Sequence, residues 1–256
     1  MVTYKSSREI DRMQRSGAVV AQVFDLVREM VRPGVTTAEI DAAVEGLIRG
    51  EGGRPSFKGY HGFPASICAS LNEEVVHGIP SDRRLKEGDL FSIDVGVVSK
   101  GYHADAARSF RVGEVSPQVA ELARVTSAAL EAAIGECRPG RRLSDIARAV
   151  ESLGRQHRYG IVEQFVGHGI GSKLHEEPQV PNYVSPSLKD MVLREGLVIA
   201  IEPMFNLGTK DTLTLDDKWT VVTADGSCSA HFEDTVAITA DGPVILTRGA
   251  GAALWS

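Results

Sequence analysis

The apolar positions in the first third of the chain switch between two periods. Over residues 7–31, Ile10, Met13, Val19, Val20, Val23, Phe24 and Val27 recur at three- and four-residue intervals, the stripe of an amphipathic helix. Arg32-Pro33-Gly34 ends that helix, since proline lacks the amide hydrogen a helix interior needs. Thr36-Thr37-Ala38-Glu39 then has the form of a capping box and predicts a second helix to about Ile48. Residues 51–63, EGGRPSFKGYHGF, show neither period and read as a Gly- and aromatic-rich loop. Extended segments are predicted at 65–70, 75–79, 90–98 and 103–112, helices at 117–135 and 143–157, and a β-rich remainder from about 161. The mixture places the chain in the α/β (α+β) class.

The pattern then repeats itself. Residues 32–47, RPGVTTAEIDAAVEGL, and 138–153, RPGRRLSDIARAVESL, share Arg, Pro, Gly, Ile, Ala, Val, Glu and Leu in register. KEGDLFSID at 86–94 and REGLVIAIE at 194–202 share Glu, Gly and Ile, and each ends on a carboxylate. The offsets, 106 (32 to 138) and 108 (86 to 194), are nearly equal, which predicts a duplicated helix–helix–strand unit, roughly 7–112 and 117–248, within one domain spanning 1–256. An approximate two-fold axis between the halves would bring Asp94 and Glu202 together.

Those carboxylates are the candidate chemistry. Asp94 interrupts the apolar run LFSIDVGVV; it either faces solvent or is buried with a partner, because an isolated buried carboxylate is costly. With Ser99-Lys100 as a two-residue hairpin loop, Asp94 lies directly opposite Asp105; a Lys100-Gly101 turn shifts that register. Two facing acids repel unless a divalent cation lies between them. Glu202 closes LVIAIEPMF, and Glu233 sits in AHFEDTVAIT. Four acids in apolar strands suffice for two divalent ions about 3.5–4 Å apart, the spacing of dinuclear hydrolases. His168 lies between glycines in GHGIG, where close backbone approach and unusual dihedrals would let the ring be aimed as a nitrogen ligand. His175 reads either as a second ligand or as a hydrogen-bond donor to substrate, and His77 in VVHGIP suits a rigid loop lining a cleft. His61, His103, His157 and His231 read as structural.

Composition narrows the class further. A net charge of −6 argues against a dedicated nucleic-acid binder. Cys68, Cys137 and Cys228 are odd in number and widely spaced, as expected of reduced thiols. The N-terminus lacks the apolar core of a signal peptide and no apolar run is long enough to cross a membrane, so a soluble cytoplasmic protein without membrane partners is expected.

At this point the chain resembles the type I methionine aminopeptidases of the short bacterial form, metallopeptidases with a "pita-bread" fold. HGIP at 77–80, IDVGV at 93–97, GHGIG at 167–171, HEEP at 175–178, AIEPMF at 200–205 and FEDT at 232–235 follow in family order and spacing. The resemblance implies two pseudo-symmetric halves around a curved antiparallel sheet. It also implies five metal ligands: Asp94, Asp105 and Glu233 for one ion, and Asp105, Glu233, His168 and Glu202 for a second. The ions would be Co, Mn, Fe or Zn. The implied reaction is attack of a metal-bridging hydroxide on the carbonyl of an N-terminal Met, on nascent chains whose second residue is small. Glu202 would shuttle the proton. His77 would contact the substrate amine or scissile amide, and His175 the developing oxyanion. The implied methionine pocket is Tyr60, Phe63, Cys68, His77, Leu174, His175 and Trp219. A monovalent cation near Asn72 and Ser229, a transient ribosome contact and a monomeric state are further implications. Three positions depart from the family pattern: Leu174 where a bulky aromatic is common, Asp234 where His is frequent, and Phe57 where a smaller residue is usual. The absence of a Cys/His-rich zinc segment before the domain favours the short form. The alternative is an X-Pro aminopeptidase or dipeptidase of the same fold, although such enzymes carry an extra N-terminal domain that residues 1–60 leave no room for.

Overall fold

The computed structural model describes residues 1–185 and 189–249. Four helices form where the apolar stripes lie: α1 (Ser7–Met30), α2 (Thr37–Gly50), α3 (Pro117–Gly135) and α4 (Leu143–His157). Their starts are capped. Thr36 and Glu39 make the predicted capping box, Ser6 and Glu9 make another, and the Ser116 hydroxyl accepts from the Val119 amide. Such caps satisfy amides that a first helical turn leaves unpaired.

The first half carries five strands: β1 (Arg54–Pro55), β2 (Cys68–Leu71), β3 (Glu74–Val76), β4 (Leu90–Ser99) and β5 (Tyr102–Arg111). Ten more follow α4: β6 (Gly160–Ile161), β7 (Gly167–Gly169), β8 (Glu176–Val180), β9 (Val198–Ile201), β10 (Met204–Asn206), β11 (Thr212–Thr214), β12 (Val221–Thr223), β13 (Ser229–His231), β14 (Asp234–Thr239) and β15 (Gly242–Ile245). All named pairings are antiparallel. In one main sheet β4 lies between β5 and the β1–β2 edge; the other runs β15-β14-β9-β7-β8. Helices α1 and α2 pack their apolar faces on β4 and β5, and α3 and α4 on β9 and β14, so each half has its own core.

The register corrects one expectation. Ser99 pairs with Tyr102, so the hairpin loop is Lys100-Gly101, not Ser99-Lys100. Both loop residues have positive φ, 50° and 81°, as a type I′ turn requires, and Gly at the second position makes that conformation inexpensive. Asp94 consequently faces Ala107, while Asp105 faces Gly96. The two acids are diagonal neighbours on one face of the sheet rather than direct partners.

The two halves are stitched in corresponding places. Gly34 donates to the Leu85 carbonyl and Gly140 to that of Leu193; Leu85 donates to Val35 and Leu193 to Arg141. Isolated bridges join Thr36 to Arg84 and Arg142 to Val192. At the seam, Ala107 and Glu233 exchange both backbone hydrogen bonds, at 3.3 and 2.9 Å, joining β5 to the residue before β14. These matched contacts support the proposal of duplicated halves.

Candidate metal centre

Each candidate ligand side chain is aimed by its local structure. Asp94 and Asp105 point to one face of the β4–β5 hairpin, which also carries the small Ala107 opposite Asp94. Glu233 sits at the seam opposite Ala107, and Glu202 directly follows Ile201, the partner of Asp234. His168 lies in the middle of β7, opposite Ala200. The glycines beside it are there for closeness. A Cβ at Gly167 would overlap the Ala200 carbonyl, and one at Gly169 the Glu177 carbonyl, so β7 fits between β8 and β9 only without side chains at those positions. Of the two uses the sequence suggested for these glycines, close approach and unusual dihedrals, the first applies: neither has a positive φ.

The result is a buried cluster of acceptors. Asp105 is 3 % exposed, Glu233 2 % and His168 8 %. One ligand atom from each of these three lies within 4.8 Å of the others. His168 Nε2 is 4.0 Å from an Asp105 oxygen and 3.9 Å from a Glu202 oxygen. Its Nδ1 lies 2.9 Å from the Gly169 carbonyl, which can only accept, so Nδ1 carries the hydrogen and Nε2 presents a lone pair to the carboxylates. Burial pushes His168 down to about 3, with His175 adding to the effect, and keeps the ring neutral. Burial likewise raises all four acids, and charged neighbours reinforce it for Asp94, Glu202 and Glu233. Asp105 is pushed up to about 7, and Glu202 to about 8 with Asp105 beside it; Asp94 and Glu233 rise well above the carboxylate range. Asp94 Oδ1, Asp105 Oδ1 and Glu233 Oε1 are buried with no hydrogen-bond partner among the described residues. Unpaired carboxylate oxygens facing an imidazole lone pair form a donor set that fits divalent metal ions.

The cluster forms one wall of a cavity of about 270 Å³. Tyr60, Phe63, Cys68, His77, Leu174, His175 and Trp219 all line it, as do the five ligand candidates. Phe57 lines it too, and so does His61, which the sequence reading left as structural; the adjacent Tyr60, in the same loop, was the available signal. His77 is held at φ 61°, with its ring edge-on to Phe165 and Trp219 at 5.5 and 6.5 Å. Burial lowers it to about 4. Gly78 behind it touches the β2 backbone, where a Cβ would overlap the Ala69 carbonyl. Tyr60 Oη and His175 Nδ1 are 2.7 Å apart and share a hydrogen bond, and the His175 and His168 rings are 4.2 Å apart. A wider groove of about 570 Å³ begins at the same two histidines and runs along β8 past Glu176, Glu177 and Gln179. Asn72 and Ser229 also meet, the Ser229 amide donating to the Asn72 carbonyl at 2.8 Å. His103 pairs with Ser56, His157 stacks on Tyr159, and His231 is buried between strands, so these three lie outside the cavity lining.

Hard oxygen ligands with a single imidazole, open on one side to a substrate-sized cavity, are what a metallohydrolase needs to hold a divalent ion and admit water. The chain belongs to metallopeptidase family M24, whose profile matches residues 11–240. It is 47 % identical over 247 residues to the methionine aminopeptidase of Clostridium perfringens, covering 96 % of this chain and 99 % of that protein. It is 48 % identical over 256 residues to methionine aminopeptidase 1 of Mycobacterium tuberculosis, covering 97 % and 96 %. The crystal structure of methionine aminopeptidase from Thermotoga maritima matches with a TM-score of 0.94 at 41 % identity, over 97 % of this chain and all of that one (100 %). The prolidase of Pyrococcus furiosus is more distant, with a TM-score of 0.76, 25 % identity and 65 % of its own length covered. The pita-bread fold is common to these proteins.

Proposed function

We propose that the protein is a methionine aminopeptidase, a metal-dependent exopeptidase that removes an N-terminal methionine when the second residue is small. The observation that carries this reading is the meeting, in one 270 Å³ cavity, of four acids and a neutral histidine with an apolar pocket. Asp94, Asp105 and Glu233 would hold one divalent ion, and Asp105, Glu233, His168 and Glu202 a second. When bound, such ions supply an acidified water and a polarised carbonyl.

The protein's own groups do the rest. Phe63, Cys68, Leu174 and Trp219 surround the thioether side chain, which packs well against aromatic rings and sulfur. Leu174 in place of an aromatic leaves the rim wider. His77 is neutral at pH 7, because burial lowers it, and can hydrogen-bond the scissile amide or the amine without adding charge. His175, tethered by Tyr60, stands at the mouth and donates to the oxygen that develops negative charge. Glu202, in the same cavity, would take a proton from the attacking water and return it to the leaving nitrogen. The groove along β8 accommodates the rest of the peptide.

The same reading carries cytoplasmic action on nascent chains, a transient ribosome contact, a monomeric working unit, and a monovalent cation near Asn72 and Ser229. No helix among the described residues is long and apolar enough to cross a membrane. The test is release of Met from Met-Ala-Ser, Met-Leu-Ser and X-Pro peptides by purified protein across a metal series. Met-Ala-Ser is expected to be cleaved, Met-Leu-Ser much more slowly. Asp105→Ala and His168→Ala are each expected to abolish release while circular dichroism stays native. Full activity in either variant, or equal rates on the two Met peptides, refutes the reading.

A further inference from the structure

Two acids adjoin on the second half's side of the seam, and they face opposite ways, as successive strand residues do. Glu233 faces the cavity. Asp234 is fully buried on the other side, and both its oxygens are occupied. Oδ1 accepts from Arg108 Nη2 at 2.6 Å and from the Thr247 hydroxyl at 2.7 Å. Oδ2 accepts from Arg248 Nε and Nη2 at 2.8 and 2.6 Å. Arg108 comes from β5, in the other half of the molecule. Its Nη1 donates to the carbonyl of Glu233 itself and, at 2.8 Å, to that of Ala107. Its guanidinium is stacked on Phe24, 4.8 Å from the ring centre. Arg248 also pairs with Glu131 at 2.5 Å, so two guanidinium groups meet two carboxylates and the cluster carries no net charge.

A buried ion cluster of this kind is a poor device for stability alone, because desolvation cancels most of the attraction. It is a good device for fixing positions. Arg108 grips the peptide unit that follows Glu233, and Asp234 holds Arg108 from the same strand. Further along the same two strands, the Asp105 backbone is also held across the seam. Its N–H donates to Thr235 Oγ1 at 2.9 Å, and its carbonyl accepts from that hydroxyl at 2.8 Å. The two carboxylates closest to the seam are therefore fixed to each other through the opposite half.

We propose that Arg108 and Asp234, locked by Arg248, are positioning residues that set the placement of Glu233 against Asp105 and so the affinity of the metal centre. This rests on the metallopeptidase reading and adds to it residues that touch neither metal nor substrate. Metal–ligand distances in a well-formed site lie within about 0.2 Å of their standard values. Loss of a group that orients a ligand costs roughly 10–100-fold in metal affinity.

The test is calorimetric titration of metal-free protein with Mn2+, alongside thermal melting. Asp234→Asn keeps shape and volume but removes the charge that holds both arginines. Arg108→Lys keeps the charge but cannot reach Asp234 and the Glu233 carbonyl together. Each is expected to weaken Mn2+ binding by about 10-fold or more. Val150→Ala, in the α4 core, is the control: it lowers Tm and leaves the Mn2+ dissociation constant unchanged. If Asp234→Asn does not fold, Arg248→Gln, at the less buried end, is read in its place and is expected to weaken binding by at least about threefold. Folded Asp234→Asn and Arg108→Lys binding Mn2+ as the parent does, or an unchanged dissociation constant in Arg248→Gln when it is read, overturns the proposal and leaves the metallopeptidase reading intact. A parent protein that takes up no divalent metal overturns both.

Discussion

Among single residues, the buried acids make the sharpest predictions. Asp105 at about 7 and Glu202 at about 8 are raised chiefly by burial. An unfolded chain would ionise them near 4. A group whose pKa is higher folded than unfolded stabilises the fold at low pH and loses that contribution as pH rises through the folded value. The buried histidines, lowered by burial, act in the opposite sense only below about pH 6.5, so metal-free protein is expected to lose stability between about pH 6.5 and pH 8. Mn2+ affinity should rise over the same window, since protons leave the ligands. Thermal melts of chelated protein and calorimetry at pH 6.5, 7.5 and 8.5 check both trends, and a melting temperature that climbs with pH over that range without metal contradicts the assignment of these groups. At this scale the sequence was very legible: an acid inside an apolar run has few reasons to be there. His61 was missed because a loop residue carries no period to report which way it faces.

Elements were legible where the physics is local. The helices and the Thr36–Glu39 capping box follow from spacing and composition. The hairpin register did not, because Ser99-Lys100 and Lys100-Gly101 both make two-residue loops, and only the positive φ of both Lys100 and Gly101 decides between them. The GHG segment shows the same limit. Its glycines suggested both close backbone approach and unusual dihedrals, and only the structure shows that close approach, which lets β7 lie against its neighbours, is their use. Gly169→Ala is accordingly expected to destabilise the protein by about 1–3 kcal/mol, the usual cost of overpacking, and to weaken activity through the displaced His168. Urea unfolding measures the first effect and peptide hydrolysis the second. An alanine variant as stable as the parent would mean that β7 and β8 are not packed this closely.

For the whole molecule, the site lies on the seam between two halves that each have their own core. Ligands from both halves should make metal binding a brace for the entire fold. At a metal concentration 100 times the dissociation constant, binding is expected to add about 2.7 kcal/mol of stability. For a chain of this size that is a rise in Tm of roughly 5–10 °C, reversed by chelator. Differential scanning calorimetry with and without Mn2+ and EDTA reads it, and a metal-independent Tm argues against a shared seam site. The sequence by itself determined the helices, the repeat at offsets of 106 and 108, and which side chains could ligate a metal, because periodicity and residue chemistry are written locally. Only the tertiary structure decided which acids meet, how the cavity is enclosed by loops near residues 60, 174 and 219, and that Arg108 reaches Asp234 and the Glu233 carbonyl. A strand's pattern says which face a residue occupies, but not which residue more than a hundred positions away will lie across from it. That choice is made by backbone hydrogen bonds across the seam and by the exclusion of water from the space between the halves.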